Sequence, residues 1–179
     1  PICSPTRAAL MTGRDPIRLG VAYAVIMPWS NSGIHPDEHF MPESFKAAGY
    51  QTAMVGKWHL GPTPQSQPQN QGFDQWLVGF FGSSDGTLNA AAMEMVGAPE
   101  AYQKALTPQI VEAKGSGAEL QKVRPYDLEY RKQIEGDIAK AAGKYIKQQA
   151  KSGKPFFLQL GWTRPHFPND TAAEFKGKS

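Results

Sequence analysis

The sequence predicts the α/β class, and three features carry that prediction. A helix opened by Pro42 and stopped by Gly49 feeds directly into a strand that begins at Tyr50. A long amphipathic helix from Asp127 to about Lys151 is followed at once by Pro155 to Trp162. That last segment is near-continuously apolar, the pattern of a parallel strand buried on both faces. With 40% hydrophobic and 20% charged residues, the 179-residue chain has a globular balance, which excludes intrinsic disorder. No apolar run approaches the roughly 20 residues needed to cross a bilayer.

The first element is a helix. Pro5 suits its first turn, Arg7 to Met11 are mostly strong helix formers, and Gly13 is a natural stop. Cys3, the only cysteine, then sits at or just before the N-terminus, where unpaired N–H groups and the helix dipole favour a thiolate or another anion. Arg7, a cation in the first turn, opposes the dipole and is better explained by an anionic partner nearby. Residue types alone leave a second reading open, a buried structural cysteine beside a surface arginine.

Asp15 to Pro36 reads as an irregular loop. Asp37, Glu38 and His39 have the chemistry of metal ligands but lack a second cluster at ligand spacing, so they read as solvated loop. In the strand from Tyr50 to Gly61, alternation places Lys57 and His59 on one face and Trp58 and Leu60 on the other. Two cationic groups side by side cost energy unless an anion lies between them, so the pair reads as an anion site. The alternative is a satisfied histidine beside a solvated lysine. Pro62 to Gln71 reads as an extended surface linker, Leu77 to Gly82 as a short apolar stretch and Ser83 to Gly86 as a turn. Leu88 to Val123 reads as mixed helix and loop, with packing segments at Met93 to Val96 and at Ile110-Val111, and a turn at Gly115-Ser116-Gly117.

Asp127 is a plausible N-cap for the long helix, whose apolar stripe is Leu128, Ile134, Ile138, Ala141, Ala142, Tyr145 and Ile146, and Gly153 ends it. Gly136 and Gly143 each weaken it by about 1 kcal/mol relative to alanine, which implies close packing against a sheet. Lys132, Lys140, Lys144, Lys147 and Lys151 are interspersed with Glu129, Glu135 and Asp137, and so read as a solvated face. Thr163 to Pro168 leaves the C-terminal end of the last strand. Open α/β sheets bind ligands just beyond such ends, so His166 and the Lys57/His59 pair fall where a site belongs. Taken alone, a loop histidine between prolines is commonly an exposed bystander.

Cys3-x-Pro5-x-Arg7, followed by Thr12-Gly13, resembles the signature of the type I sulfatases. Gly49-Tyr50-x-Thr52-Ala53-x-x-Gly56-Lys57-Trp58-His59-Leu60-Gly61 resembles the second signature of the same family. Gly72-Phe73-Asp74, the run from Pro155 to Leu160 ending in Pro165-His166, and the tail from Glu174 to Ser179 are similar to further segments of it. The resemblance implies an alkaline-phosphatase-like α/β fold, a mixed, mostly parallel sheet flanked by helices and incomplete in this chain. Residues 1–179 would be part of a catalytic domain, with 84–123 an insert or pocket rim.

The activity implied is hydrolysis of a sulfate monoester on a small molecule or glycan. Cys3 would be oxidised to formylglycine by a formylglycine-generating enzyme or an anaerobic maturase. One oxygen of its hydrate would attack sulfur and the other would later expel sulfate. Arg7 would hold the modified residue, Lys57 and His59 would position the ester, His166 would face the sulfate, and His59 or His166 would protonate the leaving oxygen. Ser83 is the nearest match to a serine that hydrogen-bonds the histidine of the second signature. Ca²⁺ is implied too, bound by the modified Cys3 and by carboxylates outside these residues.

Two other functions stay open. A phosphatase or phosphodiesterase of the alkaline phosphatase superfamily normally has a serine or threonine nucleophile with zinc, which the Cys3-Ser4-Pro5-Thr6-Arg7 context disfavours. An inactive binder of sulfated glycans would have no need of Cys3, Arg7, Lys57, His59 and His166 together. A net charge of +3 is compatible with an anionic substrate, and no Arg-rich or aromatic-interleaved patch argues for nucleic acid. A single cysteine excludes an intramolecular disulfide. The chain opens on Pro1 and reads as a fragment that would neither hold the metal tightly nor turn over alone. The resemblance points to a periplasmic, extracellular or lysosomal setting.

Overall fold

The computed structural model describes residues 2–83, 92–167 and 172–178. Five strands, β1 (Gln51–Lys57), β2 (Gln75–Phe80), β3 (Gln109–Lys114), β4 (Gln121–Pro125) and β5 (Phe156–Gly161), form one sheet in the order β4-β3-β2-β1-β5. β1 pairs in parallel with β2 and β5, while β2–β3 and β3–β4 are antiparallel. β4 therefore runs with β1, β2 and β5, and β3 alone is reversed. This is the mixed, mostly parallel sheet that was expected. The reading of β5 as buried on both faces is corrected. It lies at the sheet edge among the described residues, and Phe156 to Leu160 are only half-buried.

Alternation along β1 feeds two cores. Met54 packs with Ala8 and Met11 of α1 (Cys3–Thr12), Phe40, Trp58, Phe73 and Trp76 on one face. Val55 packs on the other face with Phe80, Tyr126, Tyr130, Ile134 and Ile138. The first face carries α1 and α2 (Met41–Ala47), and the second carries α4 (Leu128–Arg131) and α5 (Ile134–Ser152). A further helix, α3 (Glu100–Leu106), precedes β3. Both signals for the first helix hold: α1 begins at Cys3, and Gly13 caps it at φ 68° with its N–H donating to the Ala9 carbonyl at 2.8 Å.

Several readings of the chain are corrected. Pro62 to Gln71 is no extended linker, but two 3-10 turns with Ser66, Pro68, Gln69 and Gln71 buried, fastened by the Trp58 indole N–H donating to the Ser66 carbonyl at 2.7 Å. Residues 109–125 form an antiparallel hairpin, with the Gly115-Ser116-Gly117 turn inside it, in place of mixed helix and loop. Met95 and Val96 are 88% and 78% exposed, so they do not pack. The single long helix is two, α4 and α5. Asp127 caps the first by accepting from the Tyr130 N–H at 2.8 Å, and Ile146 of the supposed stripe is 44% exposed. A Cβ on Gly136 or Gly143 would meet nothing within 4 Å, so neither glycine serves close packing. Residues 84–86 of the turn at Ser83, and Pro168, lie outside the described residues.

Candidate active site

Two glycines bring the strand that carries Lys57 against β5. Gly56 has φ 90°, and a Cβ there would strike the Gly161 carbonyl; a Cβ on Gly161 would strike the Lys57 carbonyl. β1 ends at Lys57, and His59 follows at φ 62°. Strand alternation therefore stops before His59, and its direction comes from a left-handed turn. The expected facing of Lys57 and His59 by strand period is corrected accordingly.

Lys57, 4% exposed, is the hub. Its ammonium donates to Cys3 Sγ at 3.1 Å and to Ser83 Oγ at 2.6 Å. Cys3 itself is half-buried at the first position of α1. Arg7, one turn on and so past the first turn where it was expected, donates to the Lys57 carbonyl at 2.7 Å, a neutral acceptor and not the anionic partner expected. Burial lowers the Arg7 pKa, and the neighbouring Cys3 opposes that shift. Ser83, read as a turn serine and as the nearest match to one that bonds the histidine of the second signature, accepts from Lys57. A cavity of about 420 Å³ is lined by Cys3, Arg7 and Lys57 together with Met11, Met54 and Gln159.

His59 is 2% exposed, and neither ring nitrogen has a hydrogen-bond partner among the described residues. Burial first, then the charges of Lys57, Arg7 and His166, push its pKa down to about 3. The imidazole is therefore neutral across physiological pH. An orphaned polar ring among cations is unusual in a folded interior and fits a group awaiting an anion. Ser4 ties this residue to α1. Its hydroxyl donates to the His59 carbonyl at 2.7 Å and accepts from the Ile26 N–H at 2.9 Å. Ser4 is fully buried, and nothing in its sequence position between Cys3 and Pro5 signals that.

His166 lies in the turn after β5, half-buried. Its Nδ1 lies 2.7 Å from the Phe167 carbonyl, which can only accept, so this contact needs a proton on Nδ1. Cys3, Arg7, Lys57 and Ser83 are thus joined by contacts, while His59 and His166 share their electrostatic neighbourhood.

A family model described as Sulfatase matches residues 1–179. The chain belongs to the sulfatase family. N-acetylgalactosamine-6-sulfatase of Canis lupus familiaris is 34% identical over 194 residues, covering 100% of this chain and 33% of that protein. The same enzyme of Sus scrofa is 50% identical over 84 residues, 43% of this chain and 16% of that protein. The crystal structure of the PsFucS1 sulfatase from Pseudoalteromonas sp. is similar with a TM-score of 0.87 at 26% identity, covering 100% of this chain and 37% of that one. The chain spans about a third or less of these curated relatives. Sulfatases generally use formylglycine and Ca²⁺. In this chain Cys3 Sγ accepts from the Lys57 ammonium, whose backbone carbonyl accepts from Arg7. No group of three or more His, Cys, Asp or Glu among the described residues could hold a metal ion. These residues therefore do not make a calcium site by themselves, and Asp37, Glu38 and His39 do not supply one.

Proposed function

We propose that the protein containing these residues hydrolyses sulfate monoesters on an aryl or carbohydrate alcohol, with Cys3, Arg7, Lys57, His59 and His166 as its reacting and anion-holding groups. The observation that supports this most is Lys57, a buried ammonium shared between Cys3 Sγ at 3.1 Å and Ser83 Oγ at 2.6 Å. A cation fixed beside the reacting side chain, in a site largely shielded from water, is placed to stabilise charge that develops there. The names of the canine and porcine relatives favour a carbohydrate sulfate.

When Cys3 is converted to formylglycine, the modified side chain supplies an oxygen nucleophile where the thiol stands. Lys57 holds that side chain and the nearest sulfate oxygen, and Arg7 braces Lys57 through its carbonyl. Neutral His59 donates one ring N–H to a second sulfate oxygen. With its pKa near 3 it is no proton source until a bound anion offsets the surrounding cations. His166 is therefore assigned the proton that the leaving oxygen takes as the S–O bond to the alcohol breaks. Across the reaction a sulfate monoester and water give an alcohol and hydrogen sulfate. No step here runs through calcium, whose carboxylates we place outside residues 1–179.

Mass spectrometry of the tryptic peptide that contains Cys3 tests the reading. Protein made in a host with an active formylglycine-generating system should yield a peptide that has lost sulfur and gained an aldehyde. A wholly unmodified thiol from that host would overturn it.

A further inference from the structure

His166 stands on a turn that two side chains of the α4–α5 region hold from below. Arg131, the last residue of α4, is fully buried, and its guanidinium donates to the His166 carbonyl at 2.5 Å and to the Tyr126 hydroxyl at 2.9 Å. Glu135, in the first turn of α5, accepts through Oε1 from the Thr163 N–H at 2.9 Å, from the Arg164 N–H at 3.0 Å and from the Thr163 hydroxyl. From the two sides of the α4–α5 junction, Glu135 grips the start of the turn and Arg131 its end.

Stability alone does not explain this arrangement. A buried guanidinium is a poor source of net stability, because its desolvation offsets what its contacts return. A planar fork that donates in two fixed directions is, however, well suited to holding a backbone carbonyl in place. A carboxylate oxygen that gathers three hydrogens from two consecutive residues fixes that backbone in the same way. The bonds that both side chains make to residues 163, 164 and 166 give them a route to the site through the turn.

We propose that Arg131 and Glu135 are positioning residues, a backbone clamp on residues 163–166 that sets where the His166 imidazole stands relative to the Cys3–Lys57 site. This rests on the reading of His166 as a group that faces the sulfate ester. A displacement of about 1 Å in such a group is enough to cost roughly a hundredfold in rate, so a clamp remote from the chemistry has a catalytic consequence.

A double-mutant cycle in the full-length, matured protein tests the clamp. With 4-nitrophenyl sulfate as substrate, Glu135→Ala should lower kcat/KM by about ten- to a hundredfold, and Glu135→Gln, which keeps an acceptor oxygen, should recover most of it. In a His166→Ala background both substitutions should be nearly silent, because the group they position is gone. Equal losses in both backgrounds, with His166→Ala itself costly, would overturn the clamp and leave the role of His166 standing. A silent His166→Ala would remove both. If Glu135→Ala does not accumulate as folded protein, Arg131→Met goes through the same cycle. A readout independent of activity is the imidazole spectrum of protein labelled with ¹⁵N-histidine. Glu135→Ala should move the His166 resonances and leave those of His35 and His39 in place, and unmoved His166 resonances would overturn the proposal even in a protein with no measurable hydrolysis.

Discussion

At the scale of single residues, Lys57 and His59 carry opposite electrical assignments two positions apart. The Lys57 ammonium is held by Cys3 and Ser83, whereas the His59 ring is kept uncharged by burial and by the cations around it. Lys57→Met keeps most of the volume and removes the charge, an exchange that is often close to neutral for stability in an interior. In the full-length protein it should lower kcat/KM for a sulfate ester by about a hundred- to a thousandfold while the circular dichroism spectrum stays unchanged. Retained activity would exclude Lys57 from the anion site. His59 makes a different kind of contribution. Its pKa is 6.5 when unfolded and about 3 when folded, so on acidification through that window the unfolded chain takes up a proton that the native chain refuses. Native stability therefore falls as pH drops from 6.5 towards 3, by at most about 1.4 kcal/mol per pH unit from this residue. His59→Gln removes that contribution, and the variant should lose less of its Tm than the parent on acidification. Parallel Tm profiles would mean that His59 is not held neutral.

At the scale of elements, the pairing of β1 with β5 depends on two positions without side chains. Gly56→Ala would combine a left-handed φ with a clash against the Gly161 carbonyl, and should cost about 2–3 kcal/mol in urea unfolding, whereas Gly136→Ala on the open face of α5 should be neutral or stabilising. α1 was legible because its punctuation is strong, with Pro5 inside the start and Gly13 past the end. β1 was legible up to Lys57, and the error beyond it is specific. His59 adopts a positive φ with no glycine to announce it, so a period of two was carried past the residue where it stops. The hairpin of β3 and β4 was missed for another reason. All five residues of β4 are exposed, and with no buried face it leaves no apolar alternation to read. The junction between α4 and α5 falls at Lys132-Gln133, where there is neither glycine nor proline, so the sequence reads through it. Cys3, Arg7 and Lys57 are odd in type for their positions, but it was the resemblance of the runs around them to two family signatures that singled them out. Ser4, Arg131 and Glu135 were passed over because a serine beside a helix start and charges on a helix are ordinary until their partners are known.

At the scale of the whole molecule, the proposed site draws on residues 3, 7, 57, 59, 83 and 166, from both ends of the described chain. The arrangement supplies cations beside Cys3, and no cluster of His, Cys, Asp or Glu among the described residues supplies a metal site. Residues 1–179 expressed alone should therefore release no 4-nitrophenol from 4-nitrophenyl sulfate, and measurable release would show that the calcium carboxylates placed elsewhere are not needed. The full-length protein should lose activity on treatment with a calcium chelator and regain it when Ca²⁺ is returned. The parallel register of Gln51 on Phe156 also has a temporal side. Roughly a hundred residues separate these partners, so at about 5–20 residues per second a ribosome delivers β5 some 5–20 seconds after β1. Throughout that interval β1, whose residues Thr52 to Lys57 are all buried in the finished fold, has one edge with nothing to bond. The strand that bears the central lysine is thus the one most exposed to wrong pairing during synthesis, and it is there that a nascent-chain chaperone would have the most to shield.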